Sequence, residues 1–310
     1  MSDELTKPEV GEISAGFEAF ASAEELQQAL SAFEDNVNSS EILYSRMGIM
    51  QDKTPEIENQ IQGYRQGQLF DNQTREILTR KIPAPWLVGK VDPDSIPKYE
   101  TCLIVPVFKL PTEFVKWKDR SKGEKGWEFK TLDRSDPRVR AGLWPKSGGT
   151  WGNKPEEKGK KPPVTENINY LCVVLDAIDH SVIKNFIIIT FAVTSFKAGQ
   201  KLTKFIMELK SKNIPPFGKT FYLYGYQTPN AAGIKYYTIG VQEGPIITAV
   251  NQEIIPDVIN MSKFLADKEH GRERQETLLN AADVINEEDD TDIANDNTPT
   301  DGGSVGEPAF

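Results

Sequence analysis

The sequence contains few of the residues that build covalent or metal-bound frameworks. Only two cysteines, Cys102 and Cys172, occur among 310 residues, and they lie far apart in apolar runs. The two histidines are His180 and His270. This supply excludes a disulfide framework and a zinc cluster, and it favours a reducing cytoplasm as the compartment.

Long apolar runs are also missing. No stretch approaches the roughly 18 consecutive apolar residues that a membrane-spanning helix needs. The first residues, MSDELTKPEVGE, are acidic and contain no apolar stretch, so they resemble neither a secretory signal nor a basic transit peptide. We therefore expect a cytoplasmic protein that has no membrane partner.

Sequence motifs of common enzymes are absent as well. The chain has no GxxxxGK[ST] or HExxH motif and no paired-cysteine motif. Asp176 and Asp179 are close in sequence, but no third acid or lysine follows at a spacing typical of a nuclease. We interpret them as a strand-end residue and a turn residue, and we predict a protein without catalytic activity, metal or cofactor.

The charge of the chain is strongly segregated. Residues 1–60 carry 13 acids and 3 bases, and residues 275–310 carry 10 acids and no base. Residues 61–274 carry 33 bases and 23 acids, so a basic middle lies between two acidic ends. Such a middle attracts polyanions, whereas the ends compete with them or attract basic partners.

These compositions predict three parts. Residues 1–60 form an acidic arm and a helix, for which Ser22 and Glu25 make a capping box ahead of an apolar stripe. Residues 61–274 form the folded core. Residues 275–310 are too acidic and too poor in aromatics to offset the entropy of ordering, so we expect a disordered tail.

The core is predicted to be mainly β. Runs rich in β-branched residues predict strands over 101–110, 167–177, 185–194, 219–226 and 234–241, with Pro106 marking an edge or a bulge. Residues 197–212 and 258–265 have helical spacing. An OB-fold-like antiparallel barrel with long insertions and one or two helices fits this order, and an antiparallel α+β sandwich is the alternative.

The segment 108–165 is unusual in composition. It lacks strong periodicity, and it contains fifteen bases, eight acids and four of the five tryptophans. Bases neutralise phosphates, and aromatic rings stack on unpaired bases, so the combination points to single-stranded nucleic acid. The predicted phosphate contacts are Lys116, Lys118, Arg120, Lys122, Lys125, Lys130, Arg138, Arg140 and Lys146. The predicted stacking residues in this segment are Trp117, Trp127, Trp144 and Trp151.

A second predicted stacking surface lies on the strand FYLYGY. Side chains alternate between the two faces of a strand, so Phe221 and Leu223 share one face, and Tyr222, Tyr224 and Tyr226 share the other. If the apolar pair faces the core, the tyrosines line an accessible sheet surface. The alternative is that one or two of them pack beneath a helix or a loop. Tyr222 and Tyr224 are our stacking candidates, and Lys235 and Tyr236 extend this surface across the turn.

The tail ends in an aromatic residue that carries the terminal carboxylate. Its acids are Glu287–Asp290, Asp292, Asp296, Asp301 and Glu307, and its last residues are Pro308, Ala309 and Phe310. With the segments 103–127 and 164–202, this tail resembles the tailed-phage single-stranded-DNA-binding proteins of replication and recombination. The resemblance implies an OB-fold core and a tail that docks on a polymerase, helicase or recombinase. The implied docking residues are Asp289, Asp290, Asp292 and Phe310.

The sequence therefore predicts a sequence-independent single-stranded-DNA-binding protein of DNA replication, recombination and repair. Two alternatives remain open at this point. One is an annealing or recombination mediator protein, and the other is a virion or interaction protein that does not bind nucleic acid. The oligomeric state is left open by the sequence.

Overall fold

A computed structural model describes residues 44–118, 126–143, 145, 148–157, 162–229 and 233–266. The described strands are β1 (Met47–Ile49), β2 (Leu69–Asp71), β3 (Arg80–Pro83), β4 (Lys98–Trp117), β5 (Trp127–Thr131), β6 (Val164–Leu175), β7 (Val182–Phe191), β8 (Lys219–Pro229) and β9 (Lys235–Ile246).

Five α-helical segments accompany these strands in the described part of the chain. They are α1 (Pro55–Glu58), α2 (Pro137–Gly142), α3 (Phe196–Lys210), α4 (Ile247–Val250) and α5 (Ile255–Ala266). Short 3-10 turns occupy Pro85–Leu87, Pro93–Ser95, Pro155–Glu157 and Pro216–Gly218. No helix in the described ranges is long and apolar enough to cross a membrane.

The long strand β4 is the centre of the main sheet. The strand order is β7-β6-β4-β8-β9, all neighbours on this path are antiparallel, and β3 and β5 also pair with β4. β8 pairs with Glu100–Ile104 near the start of β4, whereas β5 pairs with Phe114–Trp117 at its end. A separate two-stranded sheet joins β1 to β2.

Both faces of the main sheet are covered by apolar packing. On one face, α3 and the β1–β2 sheet bury a core that includes Cys102, Ile104, Phe221 and Leu223. On the other face, α4 and α5 cover a core that includes Leu103. Strands buried on both sides read as continuous apolar runs, which explains the sequence of β4, β6 and β7.

The mainly β class with antiparallel pairing is confirmed, and the described strands form an open sheet with no barrel closure. β7 and β9 lie at opposite ends of the strand order and do not pair with each other in the described residues. In a closed barrel, the apolar side chains of the strands are buried in the interior. Here they are buried instead by the helices that pack on both faces of the open sheet.

Several predicted elements are confirmed. The strands predicted over 167–177, 185–194, 219–226 and 234–241 correspond to β6 to β9. They form the β6–β7 and β8–β9 hairpins, and His180 lies in the turn of the first. The predicted helices over 197–212 and 258–265 correspond to α3 and α5. Pro106 lies beside a bulge of β4, between Pro106 and Phe108, in a central strand. The predicted N-terminal helix lies outside the described residues.

The prediction of an irregular segment over 108–165 was wrong for about half of its described length. β4 continues to Trp117, β5 pairs with its end, and α2 follows. The polar residues hid this structure because Glu113, Lys116 and Lys130 interrupt the apolar pattern, although Phe114, Val139, Leu143 and Val164 form a small core.

Candidate nucleic-acid interface

Six aromatic side chains lie on one face of the sheet, at the end where β4 begins. We call them the aromatic surface: Trp86, Tyr99, Tyr222, Tyr224, Tyr226 and Tyr236. All six are half-buried, so each shows part of its ring to solvent. Large aromatic side chains are usually mostly buried, and a group of six that remain accessible is typical of an interaction surface.

Trp86 and Tyr224 are at the centre of the aromatic surface. Their ring centroids are 4.5 Å apart, and the Trp86 ring lies 5.6 Å from Tyr222 and 6.0 Å from Tyr99. The planes of Trp86 and Tyr99 are almost parallel, at 9°. Tyr224 lies 5.1 Å from Tyr99 and 5.7 Å from Tyr226. These distances are within the range of favourable ring contacts, so the rings hold one another in place.

The alternation of β8 places three of these rings. Phe221 and Leu223 point into the core under α3, as predicted, so Tyr222, Tyr224 and Tyr226 point to the opposite face. Tyr222 borders the apolar core under α4 and α5, whereas Tyr224 and Tyr226 lie beyond these helices, among the other aromatic rings. The prediction that this strand carries an accessible tyrosine row is therefore supported by its geometry.

Trp86 reaches the sheet from the connection between β3 and β4. These strands pair from Pro83 with Lys98, and the Ala84 N–H donates to the Pro97 carbonyl at 2.9 Å, which closes the connection at its base. Pro85 starts the short turn that carries Trp86. Proline fixes its backbone angle in advance and so favours this first position.

Gly240 makes room for the ring of Tyr224. The two residues are partners across β8 and β9, and a Cβ atom built at Gly240 would lie 2.3 Å from Cζ of Tyr224. Such a distance is far inside van der Waals contact. The glycine therefore allows Tyr224 to lie flat over β9, next to Trp86.

Burial changes the ionisation of the aromatic surface. Desolvation raises the pKa of the hydroxyls of Tyr222, Tyr224 and Tyr236 above the ordinary value. For Tyr224, a hydrogen bond with Gln242 partly offsets this rise. The three hydroxyls are therefore neutral at physiological pH and place no negative charge on this face.

Three lysines lie near these rings. Lys201 of α3 donates to Oε1 of Gln242 at 3.0 Å, and Gln242 in turn bonds Tyr224. Lys98 and Lys235 are exposed and directly precede Tyr99 and Tyr236 in β4 and β9, so their side chains leave the opposite face of these strands. The neutral rings thus have cations at the borders of their face, and contacts to bases and phosphates require both kinds of group.

A buried hydroxyl on this face has no hydrogen-bond partner in the described part of the chain. Oγ1 of Thr238 is inaccessible, and Thr238 lies opposite Tyr226 on β9. Nearly all buried polar groups in proteins are hydrogen-bonded, and a group left unpaired destabilises the fold by about 1–3 kcal/mol. Because this hydroxyl is inaccessible, it offers no contact to a ligand and only lowers the stability of this part of β9.

The structure places the predicted tryptophans of segment 108–165 elsewhere. Trp117 and Trp127 are partners across β4 and β5, and Nζ of Lys130 lies 5.6 Å from the Trp127 ring. Both rings and that of Trp151 are half-buried. Trp117 is 18 residues along β4 from Tyr99, which corresponds to roughly 50–60 Å of strand. The two predicted stacking groups are therefore not brought together.

Most of the described cations predicted to bind phosphate are engaged with acids. Lys116 pairs with Glu128 at 2.7 Å, Lys130 pairs with the buried Glu113 at 2.8 Å, and Arg138 pairs with Asp136 at 2.7 Å. Lys118 and Arg140 are exposed, and neither forms an ion pair with another described residue. Arg120, Lys122, Lys125, Lys146 and Trp144 lie outside the described residues. Phosphate binding by this set stays a prediction.

The structure also shows the surroundings of Asp176, Asp179 and the two cysteines. No cluster of His, Cys, Asp and Glu within them suits a metal ion. Asp176 accepts from Arg80 at 2.8 Å and from the Ile178 N–H, and Asp179 accepts from the Ser181 N–H, which confirms their strand-end and turn roles. Both cysteines are buried, and burial raises the pKa of each thiol.

Comparison with known families identifies the group to which the chain belongs. Residues 16–257 match the family model described as Pam3 phage gp34-like protein. This span is most of the 310 residues, so the chain belongs to the Pam3 phage gp34-like family. Neither the curated proteins nor the solved structures give a match. The matched span contains the whole aromatic surface and ends before the acidic tail, whose residues Asp289, Asp290, Asp292 and Phe310 lie outside the described residues.

Trp86 and Tyr99 were not among the residues predicted from the sequence. Trp86 lies in a proline-rich connection, and Tyr99 lies at the start of a strand chosen for its apolar run. The signal that would have found them is the order of the strands, because β4 and β8 must be neighbours before these rings can meet. The order of the strands in the sheet cannot be inferred from local sequence patterns.

Proposed function

We propose that this phage protein binds single-stranded DNA through the aromatic surface, without sequence preference and without catalysis. The observation that carries the proposal is the group of six accessible rings centred on Trp86 and Tyr224. Each base that stacks on such a ring contributes about 1–3 kcal/mol, and only unpaired bases are free to do so. Duplex DNA keeps its bases stacked on one another and gains little from these rings.

The charge distribution supports the same proposal. The core is basic, Lys201 bonds Gln242 beside Tyr224, and Lys98 and Lys235 lie at the start of β4 and β9. Contacts of lysine with phosphate release counterions, so affinity falls with rising salt, with a slope of about −0.7 per phosphate contact for single strands. In this proposal the exposed Lys118 and Arg140 add contacts at the far end of β4.

The proposed role is to coat strands that are exposed during phage DNA replication, recombination and repair. The acidic tail would then recruit a polymerase, helicase or recombinase through its acids and Phe310. An acidic segment that carries an aromatic residue suits capture by a pocket with a basic rim. While no partner is bound, the same acids compete with DNA for the basic core.

A titration with single-stranded and duplex oligonucleotides at two salt concentrations tests the proposal. We expect oligo-dT to quench tryptophan fluorescence, because a base stacks on Trp86, and we expect weaker binding to the duplex and a steep decrease with salt. Absence of quenching, or equal affinity for duplex and single strand, would contradict it. An annealing assay with complementary strands distinguishes a coating protein from an annealing protein, and absence of any binding at low salt would favour an interaction protein.

A further inference from the structure

A polar groove lies behind the aromatic surface. Its volume is about 600 Å³, and it is lined by the loop that follows α1 together with β3 and β9. Tyr236 and Tyr237 are consecutive in β9, so they point to opposite faces, and Tyr237 lines this groove. The residues that matter below are Tyr64, Arg65, Lys81 and Tyr237, with Gln62 and Gln66.

The loop that forms the groove is in contact with the back of the aromatic surface. A Cβ atom at Gly225 would lie 1.9 Å from the carbonyl oxygen of Gly67, so the loop touches the backbone of β8 at that point. Gly225 stands between Tyr224 and Tyr226, which face the other way. The groove and the aromatic surface are therefore the two sides of the same part of β8 and β9.

The aromatic wall of the groove is held in place. Gln51 bonds both backbone groups of Tyr237: its amide donates to the carbonyl at 2.7 Å, and its oxygen accepts from the N–H at 3.0 Å. The Tyr237 ring covers Gly67, where a Cβ atom would lie 2.5 Å from it. The Tyr64 hydroxyl donates to the Arg75 carbonyl at 3.3 Å. Rings fixed in advance lose little freedom when a ligand binds.

The groove also offers charge and hydrogen-bonding groups. Arg65 pairs with the buried Glu100 at 2.9 Å, yet 54% of its side chain remains exposed. Lys81 is exposed and forms no ion pair with another described residue. Gln62 and Gln66 line the groove with side-chain amides, which donate and accept. Rings, amides and cations in a space of this size match a nucleotide, which presents a base and a phosphate.

β9 provides the connection between the two sides. It is the last strand of the sheet in the strand order, and at Tyr237 its outer edge is bonded by the side chain of Gln51. A ligand chain that passes from Tyr236 to Tyr237 therefore crosses this edge beside Gln51. Lys235 is exposed at the start of this strand. A flexible single strand can bend over such an edge, whereas a duplex is too stiff to do so.

We propose that this groove is a second nucleotide subsite for the same DNA strand, which leaves the aromatic surface at Tyr236 and bends over the edge of β9 to Tyr237. This inference rests on the proposed function, because it extends the bound strand beyond the aromatic surface. Arg65 and Lys81 contact a phosphate in the groove, and Tyr237 stacks on a base. The subsite is filled only by an oligonucleotide long enough to cover both sides.

The test compares Lys81→Gln with the matched control Lys212→Gln. Lys212 is also an exposed lysine, and it precedes the start of β8 in the chain. Affinities are measured for short and long oligo-dT, of about 5 and about 16 nucleotides, as a function of salt. Loss of one phosphate contact with a single strand lowers the salt slope by about 0.7, so we expect this change for Lys81→Gln with the long oligonucleotide alone. Lys212→Gln changes neither length. Tyr237→Leu, checked for folding by thermal melting, should weaken binding of the long oligonucleotide roughly fivefold or more.

The outcomes separate the two proposals. If the parent protein binds oligo-dT and Lys81→Gln behaves like Lys212→Gln at both lengths, the groove is not a subsite and the proposed function stands. An equal loss at both lengths also overturns the inference, because the groove then does not depend on a longer strand. If the parent protein binds neither length, the proposed function itself has failed.

Discussion

Replacing Trp86 by alanine removes the ring at the centre of the aromatic surface. The ring lies 4.5 Å from Tyr224 and 5.6 Å from Tyr222, so the loss removes one stacking partner for DNA and loosens two others. One base stacked on an aromatic ring is worth about 1–3 kcal/mol, and 1.4 kcal/mol is about a tenfold change in affinity. We therefore expect Trp86→Ala to weaken oligo-dT binding by roughly 5-fold to 150-fold.

Fluorescence anisotropy of a labelled oligo-dT measures this change without relying on the protein's own tryptophans. Trp86→Phe is the first control, because it keeps an aromatic ring and should retain most of the affinity. Trp151→Ala is the second, because it removes a half-buried tryptophan of segment 108–165 from outside the aromatic surface. Full affinity of Trp86→Ala together with weakened binding of Trp151→Ala would refute the reasoning. The DNA-binding site would then lie in segment 108–165.

Three further predictions concern the position of the Tyr224 ring, an ion pair between β2 and β7, and the acidic tail. Gly240→Ala should weaken oligo-dT binding several-fold in an anisotropy titration, because its Cβ would displace the Tyr224 ring; unchanged affinity would mean that this ring position is not required. Asp71→Asn should lower the free energy of unfolding by about 3 kcal/mol at neutral pH, since it breaks a buried pair with Lys184. Burial raises the pKa of Asp71, but hydrogen bonds from Lys184 and Ser45 outweigh it and lower the pKa overall. This stabilisation is present above the ordinary pKa of aspartate and is lost as pH falls through the folded value, so denaturant titrations should show the two proteins converging in acid. Removal of residues 275–310 deletes ten acids and should raise affinity for DNA while it weakens capture of replication proteins; unchanged affinity would contradict competition by the tail.

The sequence predicted the strands, turns and helices whose residue pattern lies within a single short segment. The β-branched runs of β6 and β7, the turn between β8 and β9 and the helical spacing of α3 each lie within one segment. The tyrosine row on β8 was predictable for the same reason, because the alternation of Phe221 and Leu223 with the tyrosines fixes two faces. Only the side that faces the core had to be inferred.

The remaining features depend on contacts between distant segments. Trp86 contacts Tyr224 only because β4 lies beside β8 in the sheet. The composition and local pattern of the sequence do not specify which strands are neighbours. The same is true of the cations in segment 108–165. Fifteen bases and eight acids indicate a basic surface, but the pairing of Lys130 with Glu113 across β4 and β5 is visible only once the strands are placed.

Photo-crosslinking of oligo-dT to the full-length protein, followed by mass spectrometry of the adducts, tests the central claim most directly. The account predicts adducts at Trp86, Tyr224 and their neighbours on the aromatic surface. Adducts confined to segment 108–165, with none at Trp86 or on β8, would contradict it.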